Sequence, residues 1–523
     1  MTGTWTFVRA FLRRDRWVLL WWGVGVAVLY WSQAISVDRL YTTQAEFDRA
    51  AASMEGNAGF VAMTGPARAL NTIGGQVTWQ SAAFGAIAAG LMSMFLVGRH
   101  TRAEEESGRD EMLRAAAVGR HATTVAAFVT ALLANLLLGS LVALSLIAYP
   151  LALADSLALG VGVALCGAFF SGIALLAAQL TSTTRAMYGL TGAVIGLAYA
   201  LRAIGDVGNP VLSWLSPIGW YQAMHAFSGL RWWPALLLVA AAAGAAAAAY
   251  AVFLRRDYGS GVLAARPGPA RAARHLPSGV GLAWRLQRGA VCGWTVGMFL
   301  GGVGYGTLGN DVDSLIGDSD VAMDMFAPSG GALVDAFYAT MILTLALIGS
   351  GFAISSALRP HGEEDAGRLE ALLGTGLRRR DWLLGHVVVT LAGTVLVLAV
   401  AGLGMGIGYT LVTGEGGALD DYLLPVLAHL PGVLVLSAVT RLLYGVASRA
   451  AMLGWLGLLF AFVVMMFGDL FRIPQWMQDV SPFEHLALMP AQGFRLAPFL
   501  VLVAVAAALS VAGQLAFRRR DIG

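Results

Sequence analysis

Residues 104–121 read EEESGRDEMLRAAAVGRH, and residues 363–380 read EEDAGRLEALLGTGLRRR, the same pattern 259 positions further on. Glu104/Glu363, Glu105/Glu364, Gly108/Gly367, Arg109/Arg368, Glu111/Glu370, Leu113/Leu372 and Arg120/Arg379 are identical. Each stretch is a charged island between long apolar runs. An island repeated in the same setting signals a duplicated unit, and such repeats are sought before a fold is named.

Outward from the islands, apolar runs lie near 17–35, 78–98, 122–149, 157–180, 187–204 and 233–254, then near 290–309, 334–358, 382–411, 421–442, 451–469 and 494–517. Each is close to the roughly 20 residues that cross a bilayer as a helix. The 523 residues are 58% hydrophobic and 12% charged, whereas soluble chains carry about 25% charged residues. One water-facing core cannot enclose that much apolar surface, so lipid must be the solvent. The sequence predicts an all-α polytopic membrane protein of about 12 transmembrane helices, built as two tandem parallel six-helix repeats.

Arginine sets the orientation. All 34 basic residues are Arg, and with the N-terminus inside, 27 fall in cytoplasmic positions against 7 outside. That bias follows the positive-inside rule and puts both termini in the cytoplasm of a bacterial plasma membrane. Arg13, Arg14 and Arg16 precede the first apolar run with no small-residue cleavage site after it, so that run reads as a retained span.

Two weaker echoes keep nearly the same shift. Residues 253–259, FLRRDYG, match 517–523, FRRRDIG, and Ser216-Pro217 matches Ser481-Pro482. The order is preserved and six helices is an even number, so the repeats are parallel rather than inverted. The predicted boundaries are residues 1–254 for the first half, 255–281 for a cytoplasmic linker and 282–523 for the second half.

The islands read as short surface helices, with acids at the start and Arg120, His121 or Arg378–Arg380 at the end to complement the helix dipole. Met112, Leu113 and Ala116 in one, and Leu369, Leu372 and Leu373 in the other, form an apolar stripe. Two copies with matching acids imply that something docks there twice. The chain cannot hydrolyse ATP through a standard P-loop, because that motif needs Lys and there is none. Cys166 and Cys292 sit in apolar runs, the eight His are scattered, and no metal-ligand spacing appears.

The order Glu-Glu, three residues, Arg, one residue, Glu, one residue, Leu resembles the coupling-helix loop of type 2 ABC exporter permeases. The fused double unit, with a long external segment after its first helix, looks like the actinobacterial polyketide-antibiotic exporter permeases. The family's Thr after the Gly is Arg109 and Arg368 here, and its Pro near the motif's end is absent in both copies. The resemblance implies a first coupling site of Glu104, Glu105, Gly108, Arg109, Glu111 and Leu113. It implies a second of Glu363, Glu364, Gly367, Arg368, Glu370 and Leu372. Each would insert into a separate nucleotide-binding ATPase subunit, present as a dimer, with the carboxylates pairing its Arg or Lys. ATP and Mg would then belong to that partner, with no cofactor, metal or catalytic residue in this chain. The cargo would be a hydrophobic or amphipathic compound such as an antibiotic or drug, and no nucleic acid is involved. The alternative is a secondary, ion-coupled drug transporter. Such carriers need a buried ionisable group at mid-membrane, and Arg202, Asp335 and Arg441 lie near predicted helix ends.

Residues 4–17, TWTFVRAFLRRDRW, read as an interfacial helix, with 282–288 as a shorter counterpart. External segments near 37–78 and 310–331 are acidic and read as hydrophilic loops. Gly402, Gly404, Gly406 and Gly408, and Gly189, Gly192 and Gly196, offer small faces for close helix contact.

Overall fold

The computed structural model describes residues 2–41, 43–55, 58–115, 117–257, 259–263, 270–307, 333–414, 418–468 and 473–521. The acidic external stretch predicted at 310–331 lies outside these residues. The chain divides into two compact units, Met1–Gly268 and Pro269–Gly523.

The first unit carries six long helices: α1 (Thr4–Leu40), α2 (Ile73–His100), α3 (Ala122–Ala148), α4 (Leu153–Leu180), α5 (Thr184–Val207) and α6 (Trp233–Arg255). The second carries α7 (Gly279–Gly306), α8 (Leu333–Ala357), α9 (Arg379–Thr413), α10 (Leu430–Val446), α11 (Gly454–Phe467) and α12 (Leu496–Arg519). The described residues contain no strand. Eleven of the described helices are long and apolar enough to cross a membrane, one fewer than the sequence suggested. The exception is α7. Its length suffices, but Arg285 and Arg288 charge its start and glycines at 289, 293, 297, 301, 302, 304 and 306 dilute the rest. This is a multi-pass membrane protein.

The same helix pairings recur in both units. The first helix packs on the third, the second on the fourth and fifth, and the fourth on the sixth. In each case the second helix is the most buried and the sixth among the least. Leu236 on α6 and Leu500 on α12 accordingly point outward, exposed. That is tolerable only where the surroundings are apolar.

Glycine sets the closest approach. A methyl placed on Gly404 or Gly408 of α9 would lie 2.4 or 2.3 Å from the carbonyl oxygens of Phe299 and Val303 on α7. The small face predicted in the ninth helix is therefore a backbone-to-backbone seam. The fifth helix behaves differently. Gly189 and Gly196 face open space, and a methyl on Gly192 would meet only the Met94 sulfur at 4.0 Å. Its helix is peripheral, so small residues there leave surface rather than contact.

Two further expectations need correction. Thr4–Trp17 is no separate interfacial helix but the opening turns of α1, and 282–288 likewise belongs to α7. Val8 and Phe11 pack against Ala126 and Ala127 of α3. Asp15 is buried, bonded to His100 and paired with Arg99 at 2.7 Å. At 37 residues, α1 exceeds a bilayer's needs and extends its basic start past the core. Second, the tenth predicted span is broken at His429, between the helix Ala418–Ala428 and α10, where Pro431 cannot donate to the preceding turn.

Candidate functional site

Each charged island is two short helices rather than one. Arg102–Glu106 and Arg109–Arg114 form the first pair, and Arg359–Asp365 and Arg368–Leu373 the second. The breaks fall at Gly108, with φ +73°, and Gly367, with φ +68°. Nothing lies within 4 Å of a methyl built at either, so conformation rather than crowding selects Gly: this left-handed backbone strains any L side chain. Arg120 follows the second short helix, and Arg379 and Arg380 open α9, so none is the dipole-matching end predicted for the islands.

Three consecutive glutamates in the first island reach three different helices. Glu104 accepts from Arg14 of α1 and from Arg109 across the glycine break, both at 2.7 Å. Glu105 accepts from Arg102 at 2.8 Å and from both terminal nitrogens of Arg256, just past α6. Glu106 accepts from the backbone NH and hydroxyl of Thr184 at 2.9 and 2.7 Å, capping α5. The cluster is completed by Arg256 donating to Gln179 of α4 at 2.6 Å, and by Arg102 donating to the Ala178 carbonyl.

The second island repeats this with different side chains. Glu363 accepts from Arg368 at 2.8 Å and pairs with Arg359 at 2.9 Å. Its carboxylate raises the Arg368 pKa above the ordinary guanidinium value. Glu364 accepts from the Tyr444 hydroxyl of α10 at 2.7 Å and from Arg520, just past α12, at 2.5 Å. His361 bonds Ser448, ahead of α11, at 2.8 Å. Arg520 also lies over the Tyr444 and Phe517 rings, as Arg256 lies over Phe253.

Expected to pair with Arg or Lys of a partner ATPase, these carboxylates are engaged here by arginines of this chain. Glu104 and Glu363 are 8% and 2% exposed, and all four glutamates accept from this chain's own donors, Glu364 through one oxygen only. A buried carboxylate demands such pairing. Arg109 and Arg368, the departures from the family pattern, are the residues that clamp the first glutamate of each island. The outward face is made by Glu111, Met112 (69% exposed) and Leu113 in one island and by Glu370 in the other. Leu372 is half-buried and Leu369 fully buried among Trp382, Tyr444 and Phe517, so the predicted apolar stripe is outward at Met112 and Leu113 in one copy, where Ala116 lies outside the described residues, and largely inward in the other.

Sequence reasoning missed Arg14, Arg102, Gln179, Thr184, Arg256, His361, Tyr444 and Arg520. A signal existed for two of them, since the FLRRD and FRRRD echoes contain Arg256 and Arg520 at the same place.

The chain aligns along its whole length, at 37% identity over 530 residues, with the "Multidrug efflux system permease protein Rv1217c" of Mycobacterium tuberculosis, covering 95% of that protein. It belongs to the multidrug efflux permease family. Residues 276–518 match the family model described as the Rv1217c multidrug efflux permease, C-terminal domain, a stretch that holds the whole second island of the permease. Among its described residues no group of three or more His, Cys, Asp or Glu could hold a metal ion.

Proposed function

We propose that this permease is the membrane half of an ATP-driven exporter of the type 2 ABC kind, moving amphipathic drugs or antibiotics out of a bacterial cell. The observation that carries the reading is the twice-built junction: an acidic segment after the second helix, hinged at a left-handed glycine and tied to the end of the sixth. Such a junction transmits a push, because load on the exposed second short helix passes through Glu105–Arg256 or Glu364–Arg520 into the last helix. The ATPase, with its ATP and Mg, is a separate subunit acting as a dimer, one copy per junction. It docks on Glu111, Met112 and Leu113 and on Glu370 and Leu372. The buried glutamates hold the junction's shape. The arginine distribution supports cytoplasmic termini and junctions. The relative's name supports drug efflux.

The test is co-purification of the permease with its cognate ATPase in detergent, comparing wild type with Glu111→Arg/Glu370→Arg. A folded double variant that loses the ATPase supports the reading. An equally stable complex sinks the docking assignment. If wild type captures no ATPase and instead transports drug on a proton gradient, the ion-coupled carrier stands in its place.

A further inference from the structure

At the end of the first unit remote from the acidic island, a cavity of about 320 Å³ lies among Pro66, Arg68, Asp206, Gln222, His225 and Arg231. Trp214 and Trp233 also line it, their rings stacked with centroids 5.4 Å apart. Asp206 is already engaged by Ser213 at 2.6 Å and Arg202 at 3.5 Å. The side chains of Arg68 and Arg231 make no hydrogen bond or ion pair among the described residues. Gln222 donates to the Thr64 carbonyl at 2.6 Å, which leaves its buried side-chain oxygen unpartnered. Asp206 faces both Arg202 and Arg68, so with Arg231 the three guanidiniums and one carboxylate leave a net of two positive charges at the cavity. Burial, then Arg68 and Arg231, push the His225 pKa down to about 4, so the imidazole is neutral at pH 7. His225 itself has φ +53°, a strained backbone for a non-glycine residue.

The internal repeat makes these residues stand out. Gly229, Arg231 and Pro234 match Gly493, Arg495 and Pro498 at a shift of 264, so this stretch is built twice. In the second copy Trp233 falls on Ala497, and Gln222 and His225 fall on Leu486 and Met489 at this shift or on Ala487 and Pro490 at the shift of 265 that aligns Ser216-Pro217, apolar either way. The start of the sixth helix therefore needs neither the polar groups nor the indole. Under the cytoplasmic-termini orientation, Arg68, Arg202 and Arg231 are three of the seven arginines outside, gathered at one spot against the prevailing charge bias.

We propose that this cavity binds the anionic head, phosphate or carboxylate, of an amphipathic molecule at the outer leaflet, with the tryptophan pair bordering its apolar body. Two guanidiniums from different segments supply the fork geometry that suits such oxyanions. The volume accommodates a headgroup and the first carbons of a chain. The inference does not depend on how transport is energised.

The test titrates purified permease in a neutral maltoside detergent with dodecyl phosphate, using dodecanol as the uncharged control and tryptophan fluorescence as the readout. Dodecyl phosphate binds wild type at least about tenfold more tightly than dodecanol, and Arg68→Gln/Arg231→Gln loses that preference. Arg231→Gln alone, at an exposed side chain that leaves the fold undisturbed, weakens dodecyl phosphate several-fold. Nanodiscs separate the sources. If lipid occupies the site, phosphatidylglycerol co-purifies with wild type but not with the double variant, and suppresses dodecyl phosphate binding. If a free amphiphile is the ligand, phosphatidylcholine discs with and without phosphatidylglycerol give equal binding. Equal affinity for dodecyl phosphate and dodecanol in wild type, or unchanged dodecyl phosphate affinity in both Gln variants, overturns the proposal.

Discussion

Replacing Arg256 by alanine should loosen the first island without unfolding the unit, and the cost can be worked from the contacts. The Arg256 and Glu105 side chains are 3% and 7% exposed, so their pairing is shielded from water. Removing one member of a buried pair costs ~3–5 kcal/mol when the survivor is stranded. Glu105 is not stranded, because Arg102 remains 2.8 Å away. The lost donors leave the Gln179 side-chain oxygen unsatisfied, at ~1 kcal/mol, and the Ser260 carbonyl with only the long 3.5 Å bond from Arg102, at a fraction of that. The reasoned cost is therefore about 1–2 kcal/mol. Lysine at 256 should not restore it, since a point charge cannot serve three acceptors that a planar guanidinium reaches together. The assay is a double-mutant cycle of Arg256→Ala with Glu105→Gln, by reversible unfolding of the purified permease in mixed micelles. A coupling above about 1 kcal/mol is predicted, while additivity within about 0.5 kcal/mol would refute the argument.

Other outcomes follow from the same geometry. Gly108→Ala and Gly367→Ala should each cost about 1 kcal/mol through backbone strain, while Asn, which tolerates the left-handed region, costs less; melting temperatures order the four variants. Arg109→Thr should cost about 0.5 kcal/mol at most, because its side chain is half exposed and Arg14 still holds Glu104. Gly404→Leu should abolish folded expression by forcing α7 and α9 apart, whereas Gly189→Leu, facing open space, leaves it intact. His225 should titrate near pH 4 by NMR of labelled imidazole. Its folded pKa lies below the unfolded value, so acidification from about 6.5 towards 4 protonates the unfolded segment first and weakens that region. Arg68→Gln/Arg231→Gln moves the midpoint up, but burial, the largest cause, keeps it below the ordinary value.

Much of this was legible because bilayer crossing imposes a length and an apolarity that no other environment demands. The α3, α4 and α9 spans come directly from their runs, and the run at 290–309 falls largely within α7, whose seam with α9 hydropathy cannot register. The islands were legible as repeats of charge. Their internal chemistry was not, because Glu105 meets Arg256 across 151 positions and Glu364 meets Arg520 across 156, and local spacing carries no trace of such pairs. The glycine break was on the page as an identity between copies, yet a shared Gly reads equally well as packing until its φ is known. The donors of the acids were hidden for the same reason: a carboxylate in a charged segment gives no sign of whether its donor is water, a partner or a distant arginine.

The most direct test of the account is drug-stimulated ATP turnover by the assembled exporter carrying Arg256→Ala/Arg520→Ala. If the two junctions carry the stroke, the complex with the ATPase still forms and basal turnover persists, but stimulation by drug disappears. Stimulation of wild-type size in that variant would contradict it.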